Sequence, residues 1–170
     1  MNARMAMLYS CPGFVAVAAA AMLAAAPGPA HAERPHASQN QDQGNGSSVV
    51  VSLSLSKYTA VRSIDAGSTV GVKPDVIHVH VGDSVVFVND DTDHHTATSL
   101  VNAASFVDDP RWTDDALRAS GDIGPGFWST GDLSPGQRSA PLIARKPGTY
   151  LFGCFFDYGA GMRGEIVVEP

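Results

Sequence analysis

Sulfur is scarce in this 170-residue sequence, which contains 2 cysteines and 5 methionines. Beyond residue 32 the sequence has one of each, Cys154 and Met162. A single cysteine cannot form an internal disulfide, so the scarcity excludes a disulfide framework for that part of the chain. Both remaining sulfur-containing residues lie in one short segment, GCFFDYGAGM (153–162).

Long apolar runs are also rare, and the clearest one is the Ala-rich stretch Phe14–Ala26. The Ala-His-Ala sequence at 30–32 places small residues where a signal peptidase reads them, so 1–32 is predicted to be a secretory signal. The apolar run is shorter than the ~20 residues of a membrane span, which argues against an anchor. The polar stretch 33–48 predicts a flexible lead, and the folded domain is expected over 49–170.

Basic residues are few, with 11 Lys and Arg against 17 Asp and Glu and a formal net charge of −6. Loss of the predicted signal removes one arginine and no acid, leaving 10 basic against 17 acidic residues. This balance argues against nucleic acid or an anionic membrane surface as partners, and it fits docking to a basic partner. Motifs of hydrolytic enzymes are absent too: there is no Ser-centred elbow, no Gly-rich phosphate loop and no HExxH. We therefore expect a protein that is not an enzyme.

The predicted secondary structure is a series of short strands separated by Gly and Pro turns. Apolar alternation and β-rich composition predict strands over Val49–Leu55, Ile77–Val81, Ser84–Val88, Thr149–Phe152 and Gly164–Glu169. Gly153 is expected to let the backbone bend before Cys154. Strands of this length and spacing predict an all-β sandwich.

The stretch 99–126 differs from its surroundings, because it is long and mixed in composition. We interpret it as an excursion between strands, with a short helix around Thr113–Ala119. Thr113 is the expected cap, and Asp114 and Asp115 are favourable in the first turn of such a helix.

The pair of sulfurs in 153–162 predicts a soft-metal site. A lone thiol in an oxidising compartment is a liability unless it is buried or bound to a metal. A thiolate and a thioether, together with imidazole, select copper over hard cations. The histidine has to come from elsewhere, and the candidates are His78, His80, His94 and His95. His94 and His95 follow a predicted strand end, while His78 and His80 share the polar, solvent-facing side of a strand.

Four stretches carry a resemblance to the cupredoxins of the plastocyanin, amicyanin and pseudoazurin type: PDVIHVHVGDSVVFVNDDTDHHTATS (74–99), FWSTGDLSPGQ (127–137), PGTYLFGC (147–154) and GAGMRGEIVV (159–168). The resemblance implies a cupredoxin-like Greek-key sandwich with one mononuclear copper site. It aligns His95, six residues after Asn89, with the first histidine ligand. It likewise aligns Cys154 with the cysteine ligand and Met162 with the axial methionine. His94 is then a surface or supporting residue and a fallback ligand.

Asp157 stands where this family usually has its second histidine. One interpretation is direct ligation, in which the harder oxygen donor favours Cu(II) over Cu(I) and lowers the reduction potential. A second is a vacant position filled by water, which would give an open site. A third is a degenerate site that no longer binds metal. The neighbouring Phe155, Phe156 and Tyr158 are expected to form a hydrophobic cap over the site.

Together these features predict an exported, periplasmic or secreted copper protein that carries single electrons. Its metal ligands are expected to be His95, Cys154, Asp157 and Met162. The expected partner is a redox protein with a basic docking surface, and the protein itself is expected to be a monomer. The alternatives are a copper-sequestering or copper-handling protein and a metal-free cupredoxin that acts as a binding module.

Overall fold

The computed structural model of this protein describes residues 46–170. The predicted signal and the residues of the lead up to 45 lie outside the described residues. Within the described part, no helix has both the length and the apolar character needed to cross a membrane.

Twelve strands and two short 3₁₀ helices make up the described chain. The strands are β1 (Ser48–Leu53), β2 (Arg62–Ile64), β3 (Gly67–Thr69), β4 (Val72–Lys73), β5 (Val76–His80), β6 (Ser84–Asn89), β7 (Thr98–Ser99), β8 (Ala119–Ser120), β9 (Ser129–Thr130), β10 (Leu142–Ile143), β11 (Gly148–Gly153) and β12 (Arg163–Glu169). The 3₁₀ helices are Asp114–Leu117 and Tyr158–Ala160. The all-β sandwich with a short helical excursion is therefore confirmed, and each of the five predicted strands is present.

The strands form two main sheets and a small ribbon of β2 and β3. One sheet has the order β10-β6-β1-β4, and the other has the order β5-β12-β11-β7-β9-β8. Two pairs are parallel, β1 with β6 and β5 with β12, while their other neighbours run antiparallel. The loops that follow β6 and β11 meet, and the candidate site lies between them.

The core lies between the two sheets because their strands alternate buried apolar and exposed polar side chains. Its centre is an aromatic cluster. The ring centroid of Phe87 lies 5.3 Å from that of Phe152 and 6.4 Å from that of Trp128. All three side chains are fully buried, as are Cys154 and Met162, which belong to the same core. The two sulfur-containing residues are thus part of the main core.

The excursion adds β8 to the edge of the second sheet, where it pairs with β9 just after the excursion; the sequence predicted neither strand. The helix is shorter than expected, a single 3₁₀ turn, although Thr113 caps it as predicted by accepting from the N–H of Asp115. A separate apolar cluster of Leu100, Leu151 and Tyr158 holds the excursion against β11. The short turn suffices because this packing, rather than helix propensity, fixes the segment.

Asp122 ties the end of the excursion to β10. Its carboxylate accepts from the N–H of Ile143 at 3.0 Å and from Nε of Arg145 at 2.8 Å. Burial raises the pKa of Asp122, but the hydrogen bonds from Ile143 and Arg145 outweigh this effect, and the net pKa is lowered from its ordinary value of 3.8. The ionised form is therefore favoured by folding.

We expect Asp122→Asn to lower the free energy of unfolding by about 1 kcal/mol at pH 7. Because the folded-state pKa is depressed, this contribution is present above pH 3.8 and is lost as the pH falls through the lowered pKa. Urea unfolding between pH 2 and 7 measures it. The matched control is Asp115→Asn, whose exposed ion pair with Arg118 has a similar length of 3.1 Å. Equal pH dependence in the two variants would contradict the role of Asp122.

Candidate metal centre

Asn89, the last residue of β6, fixes the loop that carries His95. Its side-chain amide donates to the carbonyl oxygens of Asp93 and Leu133, both at 2.7 Å, and its own carbonyl accepts from the N–H of Asp91. His95 and Leu133 then exchange two backbone hydrogen bonds. An amide at this position is needed because donor and acceptor are used at once inside the protein. The imidazole of His95 is consequently held in one place.

The loop that carries Cys154 is fixed by close backbone packing. The N–H of Cys154 donates to the carbonyl of Met162 at 2.9 Å, so the two sulfur residues are neighbours across the loop. Gly153 does not bend the chain as expected, because it is still paired within β11. A Cβ at Gly153 would lie 2.5 Å from Cδ2 of Tyr158 and 3.1 Å from the Met162 carbonyl oxygen. Glycine is therefore required here by close approach rather than by a turn.

Three of the predicted ligands converge. Nδ1 of His95 lies 3.6 Å from Sγ of Cys154 and 3.0 Å from Oδ2 of Asp157, and Sγ lies 3.4 Å from the same Oδ2. Among residues 46–170, this is the one group of three His, Cys, Asp or Glu side chains whose donor atoms lie close enough to share an ion. His95 is 1% exposed and Asp157 is 28% exposed, so the carboxylate forms the solvent side of the site.

The thiol of Cys154 sits in a dry environment with few partners. Burial raises the pKa of the Cys154 thiol to about 12, although hydrogen bonding from the backbone N–H of Thr96, 3.4 Å from the sulfur, acts in the opposite direction. The hydroxyl of Thr96 also accepts from the N–H of Phe155, which joins the histidine loop to the cysteine loop. A metal ion that binds this sulfur must displace its proton, because the thiolate is the ligand.

A fourth residue of the site, Asp91, was missed by the sequence analysis. Its Oδ2 lies 3.3 Å from Nε2 of His95, on the side of the ring opposite Asp157. Burial raises the pKa of Asp91, but hydrogen bonds from Ser56, Thr92 and His95 outweigh it and hold the pKa far below its usual range. The sequence signal that could have identified Asp91 was its place four residues before His95, the candidate ligand. That signal was weak, because the run NDDTDHH contains three aspartates.

The structure separates the other candidate ligands. Met162 is fully buried, and its backbone carbonyl accepts from the N–H of Cys154, so it stays a predicted axial ligand. His94 points away from the site, with Nδ1 2.8 Å from Oδ1 of Asp132 at the surface. His78 and His80 are exposed on β5, as predicted from the strand pattern.

The expected aromatic cap over the site is wrong for Tyr158. This side chain is buried in the separate cluster under the excursion, where its ring meets Trp112 edge to face at a centroid distance of 5.3 Å. Its hydroxyl donates to the carbonyl of Val107. Phe156 is about half exposed, and Phe155 packs edge to face against it. Tyr158 therefore anchors the loop that carries Cys154 to the excursion, and the two phenylalanines lie beside the site.

The donor set fits a soft or borderline metal ion. One imidazole nitrogen, one sulfur and one carboxylate oxygen meet in a mostly buried pocket. An ion with bonds of about 2.0–2.3 Å to such atoms holds its ligands roughly 3–4 Å apart, which is the range of the separations seen here. Asp91 lies next to Nε2 of His95, the ring nitrogen that faces away from Cys154 and Asp157. A carboxylate at this place completes the carboxylate–histidine arrangement common around protein-bound metals.

Comparisons with known proteins give remote likenesses only. No family model matches the sequence, and no curated protein matches it. Among solved structures, a purple cupredoxin from Nitrosopumilus maritimus is 16% identical, with a TM-score of 0.45, over 71% of this chain and 99% of that chain. A reduced amicyanin variant is 19% identical, and another amicyanin variant, with Cu(I), is 18% identical. For both, the TM-score is 0.43 over 72% of this chain and 82% of theirs. We assign no function from likenesses this remote.

Proposed function

We propose that this protein is an exported copper protein that carries single electrons through a mononuclear site of His95, Cys154, Asp157 and Met162. The observation that carries the proposal is the convergence of an imidazole nitrogen, a thiol sulfur and a carboxylate oxygen within 3.6 Å of one another in the core. Thiolate, thioether and imidazole together select copper over hard cations. A copper ion bound there would supply reversible one-electron chemistry.

Each residue has a distinct task in this proposal. Cys154 and His95 provide the strong donors, and Met162 provides a weak axial sulfur. Asp157 provides a negatively charged oxygen on the solvent side of the site, which favours the more highly charged Cu(II) form. Asp91 orients the ring of His95 from the opposite side.

The stiffness of the two loops favours electron transfer over simple storage. The side chain of Asn89 and the backbone pairing with Leu133 hold His95 on one side of the site. On the other side, the backbone of Cys154 is bonded to that of Met162. Ligands held in this way change position little between two oxidation states, so little energy is spent on rearrangement. A protein that captures and releases copper would need loops that open.

A Cys–His–Asp set can also activate a thiol as a nucleophile. In this site the cysteine is 1% exposed, and burial raises the pKa of Cys154 to about 12. Reactive cysteines are partly exposed and have lowered pKa values, so both features disfavour nucleophilic catalysis. This supports our proposal that the protein is not an enzyme.

The proposed partner is a redox protein with a basic docking surface, because the chain carries a net charge of −6. The partly exposed Asp157 places one side of the site next to solvent, where a partner could approach within a short distance. We propose a periplasmic or secreted location, on the strength of the predicted signal at 1–32.

Titration of the metal-free protein from Glu33 onward with Cu(II), followed by visible absorption and electron paramagnetic resonance, tests the proposal. We expect one equivalent to bind in the core with an intense thiolate-to-copper band, which Cys154→Ser abolishes. We also expect a reversible one-electron couple by voltammetry. Uptake without a reversible couple would support the copper-handling alternative. The absence of a thiolate band at any copper concentration would support the metal-free binding module.

A further inference from the structure

A cavity of about 450 Å³ is lined by residues of two stretches, 57–62 and 69–75, which include the start of β2 and the whole of β4. Pockets in which proteins bind small molecules have volumes of about 300–1,000 Å³, so this cavity has the size of a ligand site. None of the four predicted metal ligands lines it. The cavity is therefore a separate feature of the molecule, and the proposed electron-transfer function leaves it unexplained.

Positive charge is concentrated around this cavity. Of the 11 Lys and Arg in the sequence, two precede residue 46, and three of the other nine line the cavity: Lys57, Arg62 and Lys73. Among the described residues of the lining, Asp75 is the one acid. The local excess of two positive charges contrasts with the net charge of −6 of the whole chain. This local field favours an anion as the ligand.

The three cations are weakly paired within the protein. Neither Arg62 nor Lys73 forms an ion pair with a residue in the described part of the chain. Lys57 forms one, but its Nζ lies 3.9 Å from Oδ1 of Asp90 and both side chains are well exposed. Exposed pairs of this kind contribute little to stability, so all three cations are available to a bound anion.

The lining also has an aromatic and aliphatic part. Tyr58 is partly buried, and its hydroxyl donates to Oγ of Ser52 at 3.2 Å. The ammonium group of Lys73 lies 5.7 Å from the centroid of the Tyr58 ring. Val70 and Val72 add aliphatic surface. A cation beside an aromatic ring suits a ligand with a negative group on a flat apolar body, because charge contact and ring packing are then made together.

The two stretches that line the cavity are fixed to each other by the backbone. The N–H of Gly71 donates to the carbonyl of Tyr58 at 2.8 Å, and the N–H of Tyr58 donates to the carbonyl of Ser54 at 3.1 Å. Arg62 and Thr69 are paired across the β2–β3 ribbon. Walls that are already in place lower the cost of ordering on binding.

We propose that this cavity binds a small organic anion that carries a carboxylate on a flat aromatic body. Arg62 and Lys73 bind the carboxylate, and the ring of Tyr58 packs against the body. The planar guanidinium of arginine matches the geometry of a carboxylate. An inorganic anion would leave the apolar part of the lining and most of the volume unused. Binding at this site requires no metal, so the proposal stands apart from the copper site.

The test is a calorimetric titration of the metal-free protein from Glu33 onward with 2-naphthoate. The matched ligand is 2-naphthamide, which has nearly the same shape and no charge, and inorganic phosphate supplies charge without an apolar body. We expect one equivalent of 2-naphthoate to bind, about tenfold more tightly than either of the other two. Changes in the amide chemical shifts measured by NMR should concentrate in the stretches 57–62 and 69–75.

Variants of the lining identify the groups that bind. Arg62→Gln and Lys73→Met are each expected to weaken 2-naphthoate about tenfold, and Tyr58→Leu should weaken both naphthyl ligands. Lys146→Gln is the matched control, because Lys146 is an exposed lysine outside the cavity. Urea unfolding of each variant separates a lost contact from lost folding. Unchanged binding in Cys154→Ser would support the proposal whatever the fate of the buried metal site.

Three results would overturn the proposal. The first is equal affinity for 2-naphthoate and for either 2-naphthamide or phosphate, which would remove the need for charge and apolar body together. The second is unaltered binding of 2-naphthoate in both Arg62→Gln and Lys73→Met. The third is wild-type protein that binds no 2-naphthoate at millimolar concentration, or that binds it with shift changes confined to other parts of the chain.

Discussion

Asp157→His is expected to raise the reduction potential of the copper-loaded protein by about 60 mV or more. The substitution replaces an anionic oxygen donor by a neutral and softer imidazole nitrogen, which removes a preference for Cu(II). A tenfold change in the ratio of Cu(I) to Cu(II) affinity corresponds to about 59 mV for a one-electron couple. The thiolate-to-copper band should move to the position seen for two histidines and one cysteine. Voltammetry and visible absorption measure the two effects.

Two further variants identify the cause of such a change. Asp157→Asn keeps an oxygen at the same place and removes the charge, so it separates electrostatics from donor type. Asp132→His adds a histidine at the surface, next to His94, and controls for non-specific binding. An unchanged band and potential in Asp157→His would contradict ligation by Asp157. If the native protein takes up no copper at the buried site while Asp157→His turns blue, the electron-carrier proposal is wrong and the scaffold alone has been retained.

Asp91→Asn is expected to weaken copper binding about 10- to 100-fold, the range found when a partner of a metal-bound histidine is removed. The carboxylate of Asp91 is buried and lies 3.3 Å from Nε2 of His95. It is itself fixed by the hydroxyl of Ser56 at 2.7 Å and by the backbone N–H of Ser56 at 3.1 Å. The neutral amide is a weaker acceptor and can present its N–H₂ group to the ring, so His95 loses both orientation and basicity as a ligand.

Competition with a chelator measures the affinity of Asp91→Asn, and the position of the thiolate band reports the geometry of the site. Asp90→Asn is the control, since Asp90 is the neighbouring acid and lies on the exposed side of the loop, near Lys57. Urea unfolding of both metal-free variants separates loss of ligand orientation from loss of folding. Equal copper affinity in Asp91→Asn and Asp90→Asn would show that the contact with His95 has no role in metal binding.

Much of the fold could be predicted because strand patterns are local. The alternation in β5 and β6 reflects the period of two residues that any strand imposes, so burial follows from the sequence. The excursion could not be predicted in the same way. The segment that carries its short strand and single helical turn is packed through Leu100, Leu151 and Tyr158, which meet across the fold, and no local signal encodes that meeting.

The sequence by itself determined which donor types this protein has: one thiol, one thioether and few histidines beyond the predicted signal. These are properties of residue identity, and they indicate a soft metal whatever the fold. The tertiary structure decided which donors meet. It joined His95 to Cys154 through Thr96, placed Asp91 behind the ring and left Asp157 partly open to solvent. The contacts between these loops span about 60 residues of chain, so they depend on how the two sheets pack rather than on local pattern.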